Sequence, residues 1–581
     1  MSLKNHLIKL FALSITILLV SSSAVWALPS DENEDFVPKE SDAEIFKYDD
    51  FEYEIGFGGG YITITKCTPD SSKTELAIPN EIDGKEVKYI DSKALKDCTE
   101  IQTITIPKNI SVLSAAAFCD CESLTAINID KDNENYVSEN GIVFSKDKLQ
   151  LCIYPRGIEN QSYTIPDDIE EIRSFAFNNC KYLKTINIPN SVTAILDSAF
   201  QGCSLLTDIT VPDSVTEIGH SLFYECLSLT SVKLSKNTKE ITHSMFFDCE
   251  TLTSVAIPEN VTKIDNYAFH NCKDLKEINI PANVTEIGDS AFYGCTALSN
   301  VTIPDKMETI GECAFYECKS ILRIDLPSSV TSISSNSFLL CENMDKINVE
   351  ENNKNYTSID GVLFTKDKKT LMTYPCGKLE AEYTVPDGVQ KIDGSAFCSS
   401  VFLVRVQLPE SMLTIGDFAF GKCTALESIN IPDSVITIEM VAFSGCTNLS
   451  GIVIPKNVIT IDGGAFGSCT GLTEAVIENN KIELPKTVFN HCSENLVLYG
   501  NQGSTAEAYA KENGYQFKTL EEYRNLTAAE ESIQQNETST VTKAPENNTA
   551  LITVISVMAG IVLLAVMIGM IIYQRKSNHF R

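Results

Sequence analysis

The sequence predicts a repeat solenoid of 23-residue rungs that is mainly β-structure with short helical turns and two β-meander insertions. Three observations support this fold class: phenylalanine recurs every 23 residues, cysteine follows almost every such phenylalanine at the third position, and two related segments interrupt the series. Because one rung of this size cannot bury its apolar side chains alone, the rungs must stack around a continuous core.

The phenylalanine column runs through most of the chain. Its members are residues 118, 177, 200, 223, 246, 269, 292, 315 and 338, and then 397, 420, 443, 466 and 489. Ser400 replaces the cysteine after Phe397, and Cys98 begins the cysteine column on a rung where Leu95 takes the phenylalanine place. Since residues in such a column point the same way on every rung, we expect buried phenylalanines and buried, unpaired thiols. The alternative is a series of disulfides along the cysteine column.

Residues 275–297, LKEINIPANVTEIGDSAFYGCTA, show the elements of a rung. The alternation L-x-x-I-x-I predicts a half-buried strand whose third and fifth residues face solvent. A proline ends this strand in most rungs, because proline has no N–H for the ladder. The stretch V-T-x-I-G predicts a second short strand, and x-x-A-F-x-x-C predicts a tight helical turn that buries Ala and Phe.

Two insertions interrupt the array. Phe118 to Phe177 and Phe338 to Phe397 are each 59 residues apart, one rung plus 36, and the two segments match at an offset of 220. NYVSENGIVFSKDKLQLCIYPRG in the first corresponds to NYTSIDGVLFTKDKKTLMTYPCG in the second. The Asn-Gly and Asp-Gly pairs signal hairpins, so we expect β-meanders near 130–162 and 350–382 and a duplicated array.

The consensus L-x-x-I-x-I-P-x-x-V-T-x-I-x-x-x-A-F-x-x-C resembles the BspA-like class of leucine-rich repeats, a family of bacterial and protist surface proteins. The resemblance extends over about 51–520. It implies a leucine-rich-repeat superhelix with an acidic N-terminal segment and opening unit over 28–97, a repeat array over 98–495 and a C-terminal cap over 496–520. It also implies binding to host matrix proteins, mucosal surfaces or other microbes.

Both ends of the sequence suggest export and anchoring. Residues 1–27 combine basic, apolar and small residues in the order of a signal peptide. Residues 551–573 are apolar and uncharged, which is long enough for one transmembrane helix, and the basic tail 574–581 is expected in the cytoplasm. The polar segment 521–550 predicts a flexible stalk. The expected location is therefore the cell surface, with the N-terminus outside.

Charge and motifs narrow the possible functions. The formal net charge of −32 argues against a nucleic-acid partner. We find no nucleophile elbow, HExxH motif, phosphate loop or dinucleotide fingerprint, so the sequence predicts no enzyme, catalytic residue, cofactor or metal site. The leading hypothesis is a membrane-anchored binding module for an extracellular protein or glycan, and the alternative is a structural component of the cell envelope.

The residue after the column phenylalanine supplies the first candidate binding set. On five successive rungs it is Tyr224, Phe247, His270, Tyr293 and Tyr316. Such a stripe of rings, directed outward or along an edge, suits sugar rings or extended peptide. The alternative is a structural ladder in which each ring covers its neighbour, because stacking alone can explain aromatic runs in repeats.

Two arginines form the second candidate set. The solvent-facing positions of the first strand are mostly small and polar, whereas Arg323 and Arg405 supply a residue type that often dominates binding energy. If this face binds a partner, we expect these two side chains to contribute most.

Overall fold

A computed structural model of the protein describes residues 45–96 and 98–528. The predicted signal peptide, most of the stalk, the apolar segment 551–573 and the basic tail lie outside these residues. Within them the chain forms the predicted β-solenoid, whose rungs stack through parallel strands. The described part contains no helix long and apolar enough to cross a bilayer.

The strands fall into four groups by their place in the solenoid. The N-terminal unit contains β1 (Phe46–Tyr48), β2 (Phe51–Ile55), β3 (Tyr61–Cys67), β5 (Glu81–Ile82) and β6 (Lys85–Ile90). The first strands of the rungs and cap are β4 (Glu75–Ala77), β7 (Thr103–Ile106), β8 (Ala126–Ile129), β12 (Ser162–Thr164), β14 (Thr185–Asn187), β16 (Asp208–Thr210), β18 (Ser231–Lys233), β20 (Ser254–Ala256), β22 (Glu277–Ile278), β24 (Asn300–Val301), β26 (Arg323–Leu326), β28 (Lys346–Val349), β32 (Glu382–Thr384), β34 (Arg405–Gln407), β36 (Ser428–Ile429), β38 (Gly451–Ile454), β40 (Glu474–Ile477), β41 (Val497–Gly500) and β42 (Gln516–Thr519). The second strands are β13 (Glu171–Ile172), β15 (Ala194–Ile195), β17 (Glu217–Ile218), β19 (Glu240–Ile241), β21 (Lys263–Ile264), β23 (Glu286–Ile287), β25 (Thr309–Ile310), β27 (Ser332–Ile333), β33 (Lys391–Ile392), β35 (Thr414–Ile415), β37 (Thr437–Ile438) and β39 (Thr460–Ile461). The meanders contain β9 (Tyr136–Glu139), β10 (Ile142–Ser145), β11 (Gln150–Ile153), β29 (Tyr356–Ile359), β30 (Val362–Thr365) and β31 (Thr370–Thr373).

The register of the parallel strands follows the sequence period. Asp208 pairs with Ser231 and Ser231 with Ser254, so equivalent residues of neighbouring rungs lie side by side. In each of these strands the central residue is buried and its two neighbours are exposed. A repeated residue type thus becomes a continuous column, either in the core or on the surface.

A third side of each rung is formed by the turn that carries the column phenylalanine. Its backbone bonds to the next rung: Phe269 N donates to Ala291 O at 2.7 Å, and Asn271 N donates to Tyr293 O at 2.7 Å. The residues two before and two after the phenylalanine have left-handed backbones, with φ of 58° at Tyr267 and 57° at Asn271. These conformations turn alternate N–H groups towards the neighbouring rung.

The predicted helical turn is thus a non-helical turn on most rungs. Among the described rungs, the turn side contains a 3-10 helix at Ala115–Phe118. The chain's other described 3-10 helix, Phe57–Gly59, belongs to the N-terminal unit. A helical turn would satisfy its N–H groups within the rung, whereas the observed turn uses several of them to join rungs.

The phenylalanine column is buried, as predicted. Phe269 has no exposed surface, and its ring centroid lies 5.1 Å from that of Phe246 and 5.2 Å from that of Phe292, in near-parallel stacking. The column also has two members that are not phenylalanines, so the 23-residue spacing of phenylalanine does not reveal them. Tyr154 and Tyr374 stack on Phe177 and Phe397 at 5.2 and 4.9 Å. Each insertion is therefore a lengthened rung of the same solenoid.

The cysteine column also lies in the core. Each column thiol from Cys203 to Cys341 donates to the backbone carbonyl of the phenylalanine one rung earlier; for Cys272 and Phe246 the distance is 3.2 Å. All cysteines of the described residues are free thiols. A small apolar side chain with a weak donor fits this position, because it fills space and bonds a buried carbonyl.

The meanders are fixed to the preceding rung by a buried asparagine. The Asn353 amide donates to the carbonyls of Pro327 and Val330, each at 3.0 Å, and accepts from the N–H groups of Asn355 and Tyr356 at 2.9 and 2.8 Å. Asn133 makes the equivalent bonds in the first meander. The Asn-Gly and Asp-Gly turns have positive φ at both residues, as a tight hairpin requires.

The array ends in a sheet extension and two helical segments, the second of which, 520–528, includes the first residues of the predicted stalk. Strands β40, β41 and β42 continue the parallel ladder, and α1 (Thr505–Asn513) connects the last two. Ser504 caps the start of α1 by accepting from Glu507 N, and Gly514, with φ of 79°, ends it.

Candidate binding surface

The five rings of the first candidate set form one parallel stack, which we name the aromatic ladder. From Tyr224 through Phe247, His270 and Tyr293 to Tyr316, successive ring centroids are 4.7, 4.3, 4.6 and 4.5 Å apart. No pair of neighbouring planes is inclined by more than 7°. The first four side chains are half-buried and Tyr316 is buried.

Backbone bonding explains this stacking. Tyr224 N donates to Ser221 O within its own turn at 3.1 Å, and Tyr224 O accepts from Gly202 N of the preceding rung at 2.7 Å. The same two bonds recur on the following rungs, so each ring stands directly beside the previous one. The faces of the inner rings are covered by their neighbours, and a partner could contact mainly ring edges. This geometry favours the structural ladder over a sugar platform.

The ladder is uncharged at its centre. His270 lies between Phe247 and Tyr293, its side chain is 16% exposed, and burial lowers its pKa to about 4. Its Nδ1 is 4.0 Å from an Asp248 carboxylate oxygen. Burial raises the pKa of Tyr224 to about 12 and also raises the pKa of Asp248. The aromatic ladder therefore offers the edges of its rings beside the partly buried carboxyl group of Asp248.

The structure places the second candidate set on another side of the rung. Arg323 in β26 and Arg405 in β34 are exposed on the first-strand face, whereas the ladder lies on the turn side. Arg323 Nε is 3.4 Å from the Asp325 carboxylate, and Arg405 Nε donates to Glu382 at 3.1 Å. The two candidate sets do not form a common site.

Sequence reasoning missed an exposed apolar surface beside the second meander. Leu322, Leu379, Val401 and Phe402 are all exposed and line one groove of about 1060 Å³, which we name the apolar groove. Its lining residues come from four separated segments of the chain, so no local motif marks it. A comparison of the two insertions at their offset of 220 would have shown that the first has polar residues at most of these places.

Metal-ligating side chains do not converge in the described part of the chain. It contains no group of three or more His, Cys, Asp or Glu residues placed to hold a metal ion. His220 and His243 do lie on neighbouring rungs, with ring centroids 6.2 Å apart in an edge-to-face arrangement.

Three solved structures align with this chain over nearly their whole length. A leucine rich cell surface protein from Faecalibacterium prausnitzii A2-165 is 22% identical, covers 81% of this chain and 97% of its own, and has a TM-score of 0.33. A leucine-rich repeat protein from Bacteroides ovatus ATCC 8483 is 23% identical, with coverages of 82% and 99% and a TM-score of 0.40. The pneumococcal vaccine antigen PcpA is 20% identical, with coverages of 82% and 98% and a TM-score of 0.31. These identities and TM-scores are too low to support a conclusion about fold or function.

The family comparison is more specific. No curated protein is significantly similar to this chain. The family model described as BspA type leucine rich repeat region (6 copies) matches residues 70–160, 156–276, 262–378 and 372–495, which together extend over most of the sequence. The chain belongs to the BspA-type leucine-rich repeat family.

Proposed function

We propose that this protein is a cell-surface recognition module whose solenoid binds an extracellular protein or glycan of a host, a matrix or another microbe. The observation that supports it is the alternation of exposed and buried residues within the first strands. Thr185, Asp208 and Ser231 are exposed, while the residue between each exposed pair is buried. The surface residues can therefore vary from rung to rung without disturbing the core, which suits a protein that must match a partner.

Family membership supports the location. BspA-type repeats suggest a surface protein, and the predicted signal peptide, stalk and apolar segment would hold the solenoid outside the membrane. The solenoid then presents its exposed strand face to the surroundings. On this face Arg323 and Arg405 are the side chains that we expect to contribute most to affinity.

A binding assay with the exported region, residues 28–545, tests the proposal. This region would be immobilised and exposed to matrix proteins, mucins and bacterial cells. The double variant Arg323→Ala with Arg405→Ala would be compared with the wild type in the same assay. Lys233→Ala, which removes an exposed cation from the same face, is the matched control. We expect saturable binding that the double variant weakens more than the control does.

The alternative, a structural envelope component, makes the opposite prediction. It requires no saturable binding to any foreign surface and an altered cell shape when the gene is deleted. That pair of results would overturn the proposal. Saturable binding that the double variant leaves unchanged would keep recognition but place the contact away from the two arginines.

A further inference from the structure

The apolar groove lies where the second meander returns to the array. Leu379 is in the segment after β31, Val401 and Phe402 follow the next turn, and Leu322 immediately precedes β26. Their exposed fractions are 76%, 45%, 46% and 61% in that order. Four large apolar side chains thus remain in contact with water around one depression, which is unusual for a soluble surface unless something covers it.

The repeat does not require apolar residues at these places. Leu322 occupies the second position of the L-x-x-I-x-I strand, where other rungs have Thr230, Thr253 and Lys276. Val401 and Phe402 occupy positions that the following rung fills with Thr424 and Ala425. The fold is the same on all of these rungs, so the apolar side chains are a local feature and not a consequence of stacking.

The first insertion provides an internal comparison. At the offset of 220, Leu322, Leu379, Val401 and Phe402 correspond to Gln102, Glu159, Lys181 and Tyr182. Lys181 Nζ forms an ion pair with Glu122 Oε2 at 3.5 Å across this surface. Two copies of the same structure therefore carry a polar surface and an apolar groove, and the backbone accommodates both.

The rim of the groove is acidic. Glu342, Asp345 and Glu380 line it and are exposed. The one lysine among the lining residues, Lys378, is largely covered and is held by Glu380 at 3.2 Å and by the Asp360 carbonyl at 3.1 Å. Glu342 is also paired, with Lys319 at 3.0 Å, so the rim has three carboxylates against two lysines. An incoming chain therefore meets an apolar floor bordered by an excess of negative charge, which favours a cationic partner.

We propose that this groove binds an extended segment of a partner protein in which apolar side chains alternate with lysine or arginine. The proposal rests on the proposed recognition function and names the chemistry of one partner. The apolar side chains would cover Leu322, Leu379, Val401 and Phe402, and the cations would face Glu342, Asp345 and Glu380. A second copy of this chain fits less well, because its net charge of −32 would be brought against the same acidic rim.

The test uses the sequence of the first insertion as a design. Leu379→Glu combined with Val401→Lys installs the residues that the first copy carries at the same places, so the variant is expected to fold. Ile459→Glu is the control, because Ile459 is also a highly exposed apolar residue but does not line the groove. The melting temperature of each full-length protein is compared with that of the wild type to verify folding.

The probe is a fluorescent peptide of alternating leucine and lysine, with leucine–glutamate and glycine–lysine peptides of equal length for comparison. Fluorescence anisotropy should show that the wild type and Ile459→Glu bind the leucine–lysine peptide, that the double variant binds it at least about tenfold more weakly, and that salt weakens binding. Equal binding by the double variant, or equal binding of the leucine–glutamate peptide, would overturn the proposal.

Self-association is a separate outcome. If sedimentation shows a wild-type dimer that the double variant cannot form, the groove is an interface between copies and the proposal of a cationic partner is wrong. The two proposals also fail independently. Loss of peptide binding in the double variant with unchanged saturable binding to cells leaves recognition intact and assigns cell binding to another surface.

Discussion

A column phenylalanine is enclosed on both faces by the rings of the neighbouring rungs. Phe269→Ala removes stacking with Phe246 and Phe292 and leaves a cavity. The surrounding rungs are joined by backbone hydrogen bonds and cannot collapse freely into it. We expect a loss of about 3–5 kcal/mol in the free energy of unfolding, measured by denaturant titration. A loss no larger than that of Val453→Ala, a substitution at an exposed position, would contradict the role of the column.

His270 makes the stability of the ladder dependent on pH. Its pKa is about 4 in the folded protein because burial disfavours the charged ring, whereas an unfolded histidine has a pKa of about 6.5. Between these values the unfolded chain binds a proton that the folded chain does not. Stability must therefore fall as the pH decreases from about 6.5 to 4, by up to about 3 kcal/mol, and level off below that range.

The variant His270→Phe isolates this effect. It retains a ring between Phe247 and Tyr293 but cannot be protonated, so its unfolding free energy should decrease less than that of the wild type over the same pH interval. Asp248 and Glu225, whose pKa values burial raises, are present in both proteins and cancel in the comparison. Parallel pH profiles for the two proteins would show that the His270 ring is protonated as easily when folded as when unfolded.

At the scale of the element, the aromatic ladder tests whether stacked rings stabilise or bind. Changing Tyr224, Tyr293 and Tyr316 together to serine breaks three of the four stacked contacts completely and leaves only that between Phe247 and His270. Because the ring faces are covered by one another, we expect a large drop in melting temperature. Serine is compatible with the turn, since Ser444 occupies the same position on a later rung.

The comparison of melting and binding separates the two roles of the ladder. A lower melting temperature with unchanged binding of the folded variant supports the structural role. Lost binding at an unchanged melting temperature would instead identify the ladder as a contact site and reverse our interpretation of its covered faces.

The regular elements could be predicted from the sequence because each one is repeated. A period of 23 residues fixes which residues pair, so the burial of Phe269 and the exposure of Thr185 and Asp208 follow from position alone. Tyr154 and Tyr374 were not recognised as column members, because a search for phenylalanine treats the two lengthened rungs as foreign insertions. The left-handed residues that join the turns were also missed, since serine, tyrosine and aspartate all occupy them.

The candidate surfaces could be predicted only in part. The sequence places the five ladder residues on neighbouring rungs, but the ring rotation that covers their faces depends on side-chain packing. The apolar groove could not be predicted from local sequence, because Leu322 and Leu379 approach each other only through the path of the second meander. Two residues that are distant in the sequence come together here only because the whole lengthened rung follows one particular path.

At the scale of the whole molecule, the cysteine column reports on the integrity of the solenoid. Burial raises the pKa of the Cys203 thiol to about 12, and other column thiols have pKa values raised by the same cause. Near neutral pH they carry almost no thiolate, which is the reactive form, and they are also covered. Alkylation of the native protein should therefore require the rungs to open.

We expect alkylation followed by intact mass to separate two classes of cysteine. The half-buried Cys119, Cys313 and Cys492 should react first, and the buried column thiols should react later and together, because opening one rung exposes its neighbours. Under denaturing, non-reducing conditions all 20 cysteines should be labelled. Labelling of most thiols between Cys180 and Cys341 only after reduction would show that the column forms disulfides. In that case the column sulfurs would have no S–H groups to donate to the phenylalanine carbonyls, and disulfides would join the rungs instead.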